Sequence, residues 1–315
     1  MEIIKSKYKN VGALKINNEY LSVTVLPQFG SKIASIYYYP KSYEILWQSN
    51  NEYYKKSKYG EIFESGEFSG FDEMFPSILE CYYEEYPWSG IKIPDHGELW
   101  SIPWKYEVKK ENKQVKLWVN GIRFPYLFKK EITLDKNKIK LLYSLENKSP
   151  FYLDYIWAAH PLFNISQYST IVVPEGMNKI INSVAGPVLK EYGKIYDFPT
   201  ATLENGKSLY LNHIQKRNSY GYQKYYFLGK VTEGWCKIID HNKELSVTLH
   251  YPEEKVPYLG IWINEGGWQN QYNVALEPST GAMDRIDSSK IWKMNSILKP
   301  YEIIDWYLEI SIDRN

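Results

Sequence analysis

Four short segments concentrate titratable side chains among Gly, Pro and Trp: GFDEMFPSI (Gly70 to Ile78), PDHGELWSIPW (Pro94 to Trp104), YIWAAHPLFNI (Tyr155 to Ile165) and ALEPSTGAMD (Ala275 to Asp284). They carry Asp72 and Glu73, then His96, then Trp157, His160 and Asn164, and finally Glu277. A histidine, which titrates near neutrality, and a carboxylate together make a general acid and a general base. Three chemistries fit these residue types. The first is proton transfer between a ligand and the His160 and Glu277 side chains, which needs neither metal nor cofactor. The second is glycoside hydrolysis by two carboxylates, Asp72 or Glu73 with Glu277, which leaves His160 without a role. The third is a His₂Glu zinc set from His96, His160 and Glu277, for which no His-Glu-x-x-His spacing exists. His213, His241 and His250 read as structural, and Trp100, Trp104, Trp157 and Trp268 as packing residues of which one or two could stack on a sugar. Trp157 doubles as a candidate stacking platform, and Asp72 and Glu73 are candidate ligands for hydroxyl groups.

These segments fall where strands open into loops, so strands must position them. In YLSVTVL, Leu21, Val23 and Val25 alternate with Ser22 and Thr24. Ile139, Leu141, Tyr143 and Leu145 share one face of KIKLLYSLE, and Leu245, Val247 and Leu249 one face of ELSVTLH. Ile304, Trp306, Leu308 and Ile310 repeat the pattern near the end. This period of two predicts half-buried strands. Asp135-Lys136-Asn137-Lys138 and Asp240-His241-Asn242-Lys243 sit between such runs and predict antiparallel hairpins. Long amphipathic helices are missing, which argues against a parallel α/β sheet. The expectation is an all-β chain, a large sandwich of antiparallel sheets forming one domain over residues 1–315, with a long loop from Met177 to Tyr210.

The 38 basic and 37 acidic residues give the 315-residue chain a formal net charge of +1. Such a balance provides no general field for steering toward nucleic acid or an anionic membrane. Only Arg123, Arg217, Arg285 and Arg314 could supply bidentate phosphate clamps. The double glycine Gly266-Gly267 lacks the lysine and helix of a phosphate loop. Two cysteines, Cys81 and Cys236, argue against a disulfide scaffold. With no signal-like opening and no apolar run of about 20 residues, the expectation is a cytoplasmic protein with no membrane partner. Aromatic residues reach 17%, which suits both strand packing and a flat or sugar ligand.

Taken in order, the four segments resemble motifs of the aldose 1-epimerase family, the galactose mutarotase-like proteins. VTVLPQFGSKIASIYYYPKSYEILW looks like that family's N-terminal hairpin, and Asp95-His96-Gly97 followed by Trp104 looks like its first histidine motif. His160-Pro161-Leu162-Phe163-Asn164 is similar to its His-Pro-aromatic-Phe-Asn motif, with leucine in the aromatic place. Leu276-Glu277-Pro278 with Gly281 matches its C-terminal glutamate motif. The resemblance spans about Asn10 to Ile312. It implies a β-supersandwich with a cleft for a small sugar, in which Glu277 takes the anomeric proton, His160 protonates the ring oxygen and His96 hydrogen-bonds the sugar. Asn164, Trp157, Asp72 and Glu73 are the candidate substrate contacts. The family's arginine before the first histidine has no counterpart in GFDEMFPSI, and its later aspartate has none around Tyr225 to Trp235, so galactose specificity does not carry over. The expected substrate is a neutral free aldose. The alternative is a carbohydrate-binding protein of the same fold without turnover.

Overall fold

The computed structural model describes residues 2–109, 111, 113–219 and 221–315. Among them, two large antiparallel sheets pack face to face. The larger runs from one edge through Glu2–Tyr8, Val11–Asn17, Leu21–Leu26, Lys32–Tyr38, Phe71–Met74 and Ala158–Asn164. It continues through Tyr272–Ser279, Tyr258–Glu265, Tyr222–Phe227, Lys179–Asn182 and Ile195–Asp197, with Tyr43–Glu44 paired onto Lys32–Tyr38. The smaller sheet has the order Ser169–Val172, Trp235–Asp240, Leu245–His250, Ile303–Arg314, Lys138–Asn147, Tyr126–Asp135, Gln114–Asn120 and Lys105–Lys109. One hydrophobic core joins them: Ile33, Phe71 and Met74 from the larger sheet cluster with Phe128, Leu141 and Leu308 from the smaller. A single six-residue α-helix, Ile286–Ile291, is present among the described residues, and no helix there is long and apolar enough to cross a membrane.

Both hairpins form where the turn residues place them. Asp135 pairs with Lys138 across Lys136-Asn137, with Lys136 in the left-handed region at φ 51°. Asp240 pairs with Leu245, closing the second. Alternation holds in Lys138–Asn147, where Ile139, Leu141, Tyr143 and Leu145 are buried. It fails to predict exposure in Leu21–Leu26 and Leu245–His250, where Ser22, Thr24, Ser246 and Thr248 are buried too. These strands lie inside their sheets. Thr24, for example, sits between Lys15 and Ser35, and Ser22 between Asn17 and Tyr37, so a short polar side chain is screened by its cross-strand neighbours. The Met177 to Tyr210 stretch is not a long loop: it contributes two strands to the larger sheet and a separate hairpin, Thr200–Thr202 with Ser208–Tyr210. Its segments are only three or four residues long, too short to show a period.

Candidate active site

The strand register builds the site. Within the larger sheet Ile33 is level with Phe71, which brings Lys32 level with Asp72. Asp72 pairs with His160. Ala158 pairs with Ser279 and Leu162 with Ala275, so His160 lies opposite Glu277. Glu277 pairs with Gly260, and Gly260 with Tyr226. Because side chains on level, paired strands point the same way, Lys32, Asp72, His160, Glu277 and Tyr226 form one row on one face of six strands. Gly260 is the gap in that row. A Cβ there would stand 2.9 Å from the Tyr226 ring and 3.4 Å from Glu277 Oε2, so glycine lets these two neighbours close in.

Glu277 is fully buried. Its Oε2 accepts a hydrogen bond from Lys224 Nζ at 2.6 Å, while Oε1 lies 3.6 Å from His160 Nε2 and has no hydrogen-bond partner. Lys224 comes from the Tyr222–Phe227 strand, two residues before Tyr226 on the same face. It also reaches Asp284 Oδ1 at 3.1 Å, an atom that accepts from the Tyr226 hydroxyl at 2.7 Å. Asp284 Oδ2 is unpartnered. Asp284 follows Met283 in a turn where both adopt positive φ. Its carbonyl accepts from the Ile78 and Leu79 N–H groups, tying this turn to the loop before His96.

Burial pushes the Glu277 carboxyl above its ordinary pKa, and the Lys224 ammonium offsets only part of that. Burial alone would lower Lys224, but the Asp284 and Glu277 carboxylates hold it above its usual value, hence charged. His160 is driven well below the ordinary imidazole value, first by burial and then by His96, Lys224 and Lys32. Its Nδ1 has no partner.

His96 reaches the same place from a loop. Its φ of 57° and that of Gly97 at 73° are both left-handed, and a Cβ on Gly97 would sit 2.1 Å from the Phe75 carbonyl oxygen. Only glycine fits there. The His96 ring stacks on Phe63 at 4.0 Å. Burial would raise the Asp95 carboxyl, but His96 and the Phe63 and His96 N–H groups overcome it and hold it below the usual carboxylate value. The ionised Asp95 can only accept, so His96 Nδ1 donates to its Oδ1 at 3.0 Å. That leaves Nε2 for a ligand. Glu98 anchors the loop by accepting from the Tyr59 and Tyr126 hydroxyls.

Above this row lies a cleft of about 190 Å³ lined by His96, His160, Lys224 and Asp284, with Phe63, Trp262 and Trp268 among its walls. Glu277 lies directly beneath the lining. A larger cavity of about 500 Å³ beside Pro187 and Tyr196 carries no histidine.

The structure therefore brings His96, His160 and Glu277 together and places Asp72 in the same row, where Lys32 binds its Oδ2 at 2.5 Å. It separates the other candidates. Glu73, one residue from Asp72, points to the opposite face into the core between the sheets. There it accepts from Lys130, Tyr143 and Trp157. Trp157 is fully buried in that same core against Tyr143 and Trp306, so it offers no face to a ligand in the cleft. Asn164 lies four residues beyond His160 and donates to the Glu44 and Leu46 carbonyls; it fixes the strand rather than lining the cleft. Among the described residues, no three His, Cys, Asp or Glu side chains are grouped as a metal ion requires. Sequence reasoning missed Lys224 and Trp262. It also left Asp284 without a role, although it closes one of the four segments. Their signal was weak: Tyr222, Lys224 and Tyr226 share a face by alternation, but a lysine is ordinarily read as solvent-facing.

No family model matches the chain, and no curated protein matches it. Solved structures do. A galactose mutarotase-like protein from Lactobacillus casei is 18% identical, with 96% of this chain and 100% of that one covered at a TM-score of 0.67. A second galactose mutarotase-like protein, from Clostridium acetobutylicum, is 15% identical over 100% of this chain and 99% of its own, at 0.66. A protein of Escherichia coli K12 described as a candidate aldose 1-epimerase is 13% identical over 96% and 98%, at 0.69. With two large antiparallel sheets and these structural neighbours, the chain has the galactose mutarotase-like fold.

Proposed function

We propose that this protein is an aldose 1-epimerase that interconverts the α and β anomers of a neutral free aldose. The observation that carries the reading is the convergence of His160 Nε2 and the unpartnered Glu277 Oε1, 3.6 Å apart at the floor of the cleft. Anomer exchange breaks the bond between C1 and the ring oxygen, and both O1 and the ring oxygen are attached to C1. The acid and the base must therefore act on adjoining atoms, and two convergent side chains suit that demand.

Glu277 Oε1 takes the proton from the O1 hydroxyl as the C1–O5 bond breaks, and protonated His160 delivers its Nε2 proton to O5. C1 becomes an aldehyde carbon, rotation about C1–C2 exposes its other face, and reclosure with the protons returned gives the other anomer. The competent state holds one proton between Glu277 and His160, and the pair titrates as a unit. Lys224, 2.6 Å from Oε2, favours the ionised carboxylate, but burial and the same ammonium also oppose the His160 imidazolium, so the reading requires the proton to pass to His160 as the sugar enters. His96 Nε2 and Asp284 Oδ2 meet sugar hydroxyls, and Phe63, Trp262 and Trp268 meet the apolar C–H faces of the ring. Glu277 is covered by Lys224 and His160, so the reading requires these two side chains to part as C1 enters.

Two-carboxylate hydrolysis finds less support, because Glu73 faces away from Glu277 and Asp72 is held by Lys32. The mutarotase-like neighbours support a sugar ligand. The test is NMR exchange spectroscopy on free aldoses, uronates and 6-phosphates, with and without protein. Exchange of a neutral aldose above the buffer rate is expected. Binding without exchange for every sugar would replace the reading with a carbohydrate-binding protein.

A further inference from the structure

The cleft over His160 does not end at its own walls. The segment carrying Glu64 and Phe68 lines it and also lines a second groove of about 300 Å³. The turn after Trp268 does the same: Trp268 faces the cleft, and Gln269, Asn270 and Gln271 face the groove. The far wall holds Trp47 and Asn50. Trp47 is built onto the catalytic strand, its N–H donating at 2.7 Å to the carbonyl of Leu162, two residues from His160.

We infer that this groove holds a second sugar ring, so that the preferred substrate is a neutral reducing disaccharide or longer oligosaccharide with its reducing end over His160 and Glu277. This deepens the anomer-exchange reading and rests on it for the orientation. Two observations carry the inference. First, a cleft of about 190 Å³ falls below the roughly 300–1,000 Å³ typical of small-molecule sites; with the adjoining groove, the space enters that range. Second, the chemistry of the groove matches a sugar. The side-chain amides of Asn50, Gln269 and Asn270 make no hydrogen bonds to described residues, and an amide both donates and accepts, as a hydroxyl does. Trp47, half-buried, adds an apolar surface. Lys55 and Arg217 stand there against Glu64, and Arg217 spends one N–H on the Asn270 carbonyl at 3.0 Å. These charges leave an excess of one cation, so the neutral ring rests on the free amides and Trp47, and a 6-phosphate is the rival occupant the experiment tests.

The experiment compares disaccharides bearing glucose or galactose at the reducing end with the corresponding monosaccharide, by exchange NMR for kcat/KM and by calorimetry for affinity. It uses the wild-type chain, Trp47→Ala and Gln269→Ala, the last an exposed turn position whose loss leaves the fold intact. At least one disaccharide is expected to exceed its monosaccharide by about tenfold, and both variants to shrink that ratio. The inference is overturned if no disaccharide exceeds its monosaccharide in either measurement, if the advantage survives both substitutions, or if a 6-phosphate outcompetes every disaccharide. Should no sugar exchange, yet disaccharides bind more tightly and both variants weaken them, the anomer-exchange reading falls and the groove stands. If no sugar binds, both fall.

Discussion

Glu73 and Glu277 are both buried glutamates on the larger sheet, each within reach of a buried lysine, and they are built for opposite ends. Every oxygen of Glu73 is occupied: Oε1 accepts from Lys130 at 3.1 Å and Tyr143 at 2.9 Å, and Oε2 from the Trp157 indole at 3.0 Å. Glu277 has one oxygen on Lys224 and one with no partner. Their lysines differ as well. Burial outweighs Glu73 and lowers Lys130 below its ordinary value, whereas two carboxylates hold Lys224 above it. A satisfied buried pair fixes two sheets together; a buried pair with a spare acceptor beside a histidine has chemical capacity left over.

The sharpest way to break this comparison is to neutralise each carboxylate in turn. Glu277→Gln keeps the shape but removes the proposed base, and exchange is expected to slow by about 10²–10⁴-fold with the fold retained. Glu73→Gln is expected to cost stability instead, about 3–5 kcal/mol, because Lys130 is left buried without its counter-charge. Exchange NMR and denaturant unfolding on both variants decide it. A Glu73→Gln protein that is stable yet inactive would erase the distinction.

Lys224→Met sharpens the comparison from the other side. Without the ammonium, the Glu277 carboxyl rises further, so the acid limb of the pH–rate profile should move to higher pH. Stability should also fall, by about 3–5 kcal/mol, since Glu277 and Asp284 lose their shared cation. An unmoved acid limb would show that Lys224 serves packing alone. At Gly260 the expected effect is smaller. Gly260→Ala puts a methyl group 2.9 Å from the Tyr226 ring, and overpacking of this kind costs about 1–3 kcal/mol. If thermal unfolding is unchanged, the gap in the row is not required.

The smallest effect concerns pH. Burial holds His160 well below its ordinary value, so the unfolded chain binds a proton below about pH 6.5 that the folded chain refuses. The contribution is present above that pH and is lost as pH falls, at no more than about 1.4 kcal/mol per pH unit. Asp72 and Glu277, raised by burial, act in the opposite direction. The difference between wild type and His160→Gln isolates the histidine: between pH 6.5 and 5 the variant should lose less stability than the wild type. Parallel curves would mean that His160 is solvated in solution.

By itself, the sequence determined the all-β class, the two hairpins and the pairing of His160 with Glu277 as the centre of interest. Alternation, turn residues and motif order are local properties, and they survive folding unchanged. It also pointed to His96, because an Asp-His-Gly turn keeps its chemistry wherever the loop is placed. What it did not determine was which way neighbouring side chains face. Asp72 and Glu73 are indistinguishable by type, yet alternation sends one to the row beneath the cleft and the other into the core, and only the packing of a second sheet fixes which is which. Trp157 read as a stacking platform until that sheet covered it. Lys224 drew no reading from the sequence because a lysine's burial depends on the carboxylates it meets, and Glu277 and Asp284 lie 53 and 60 positions further along the chain. Register across six strands, a property of hydrogen-bonded neighbours that are distant in sequence, is what assembled the row.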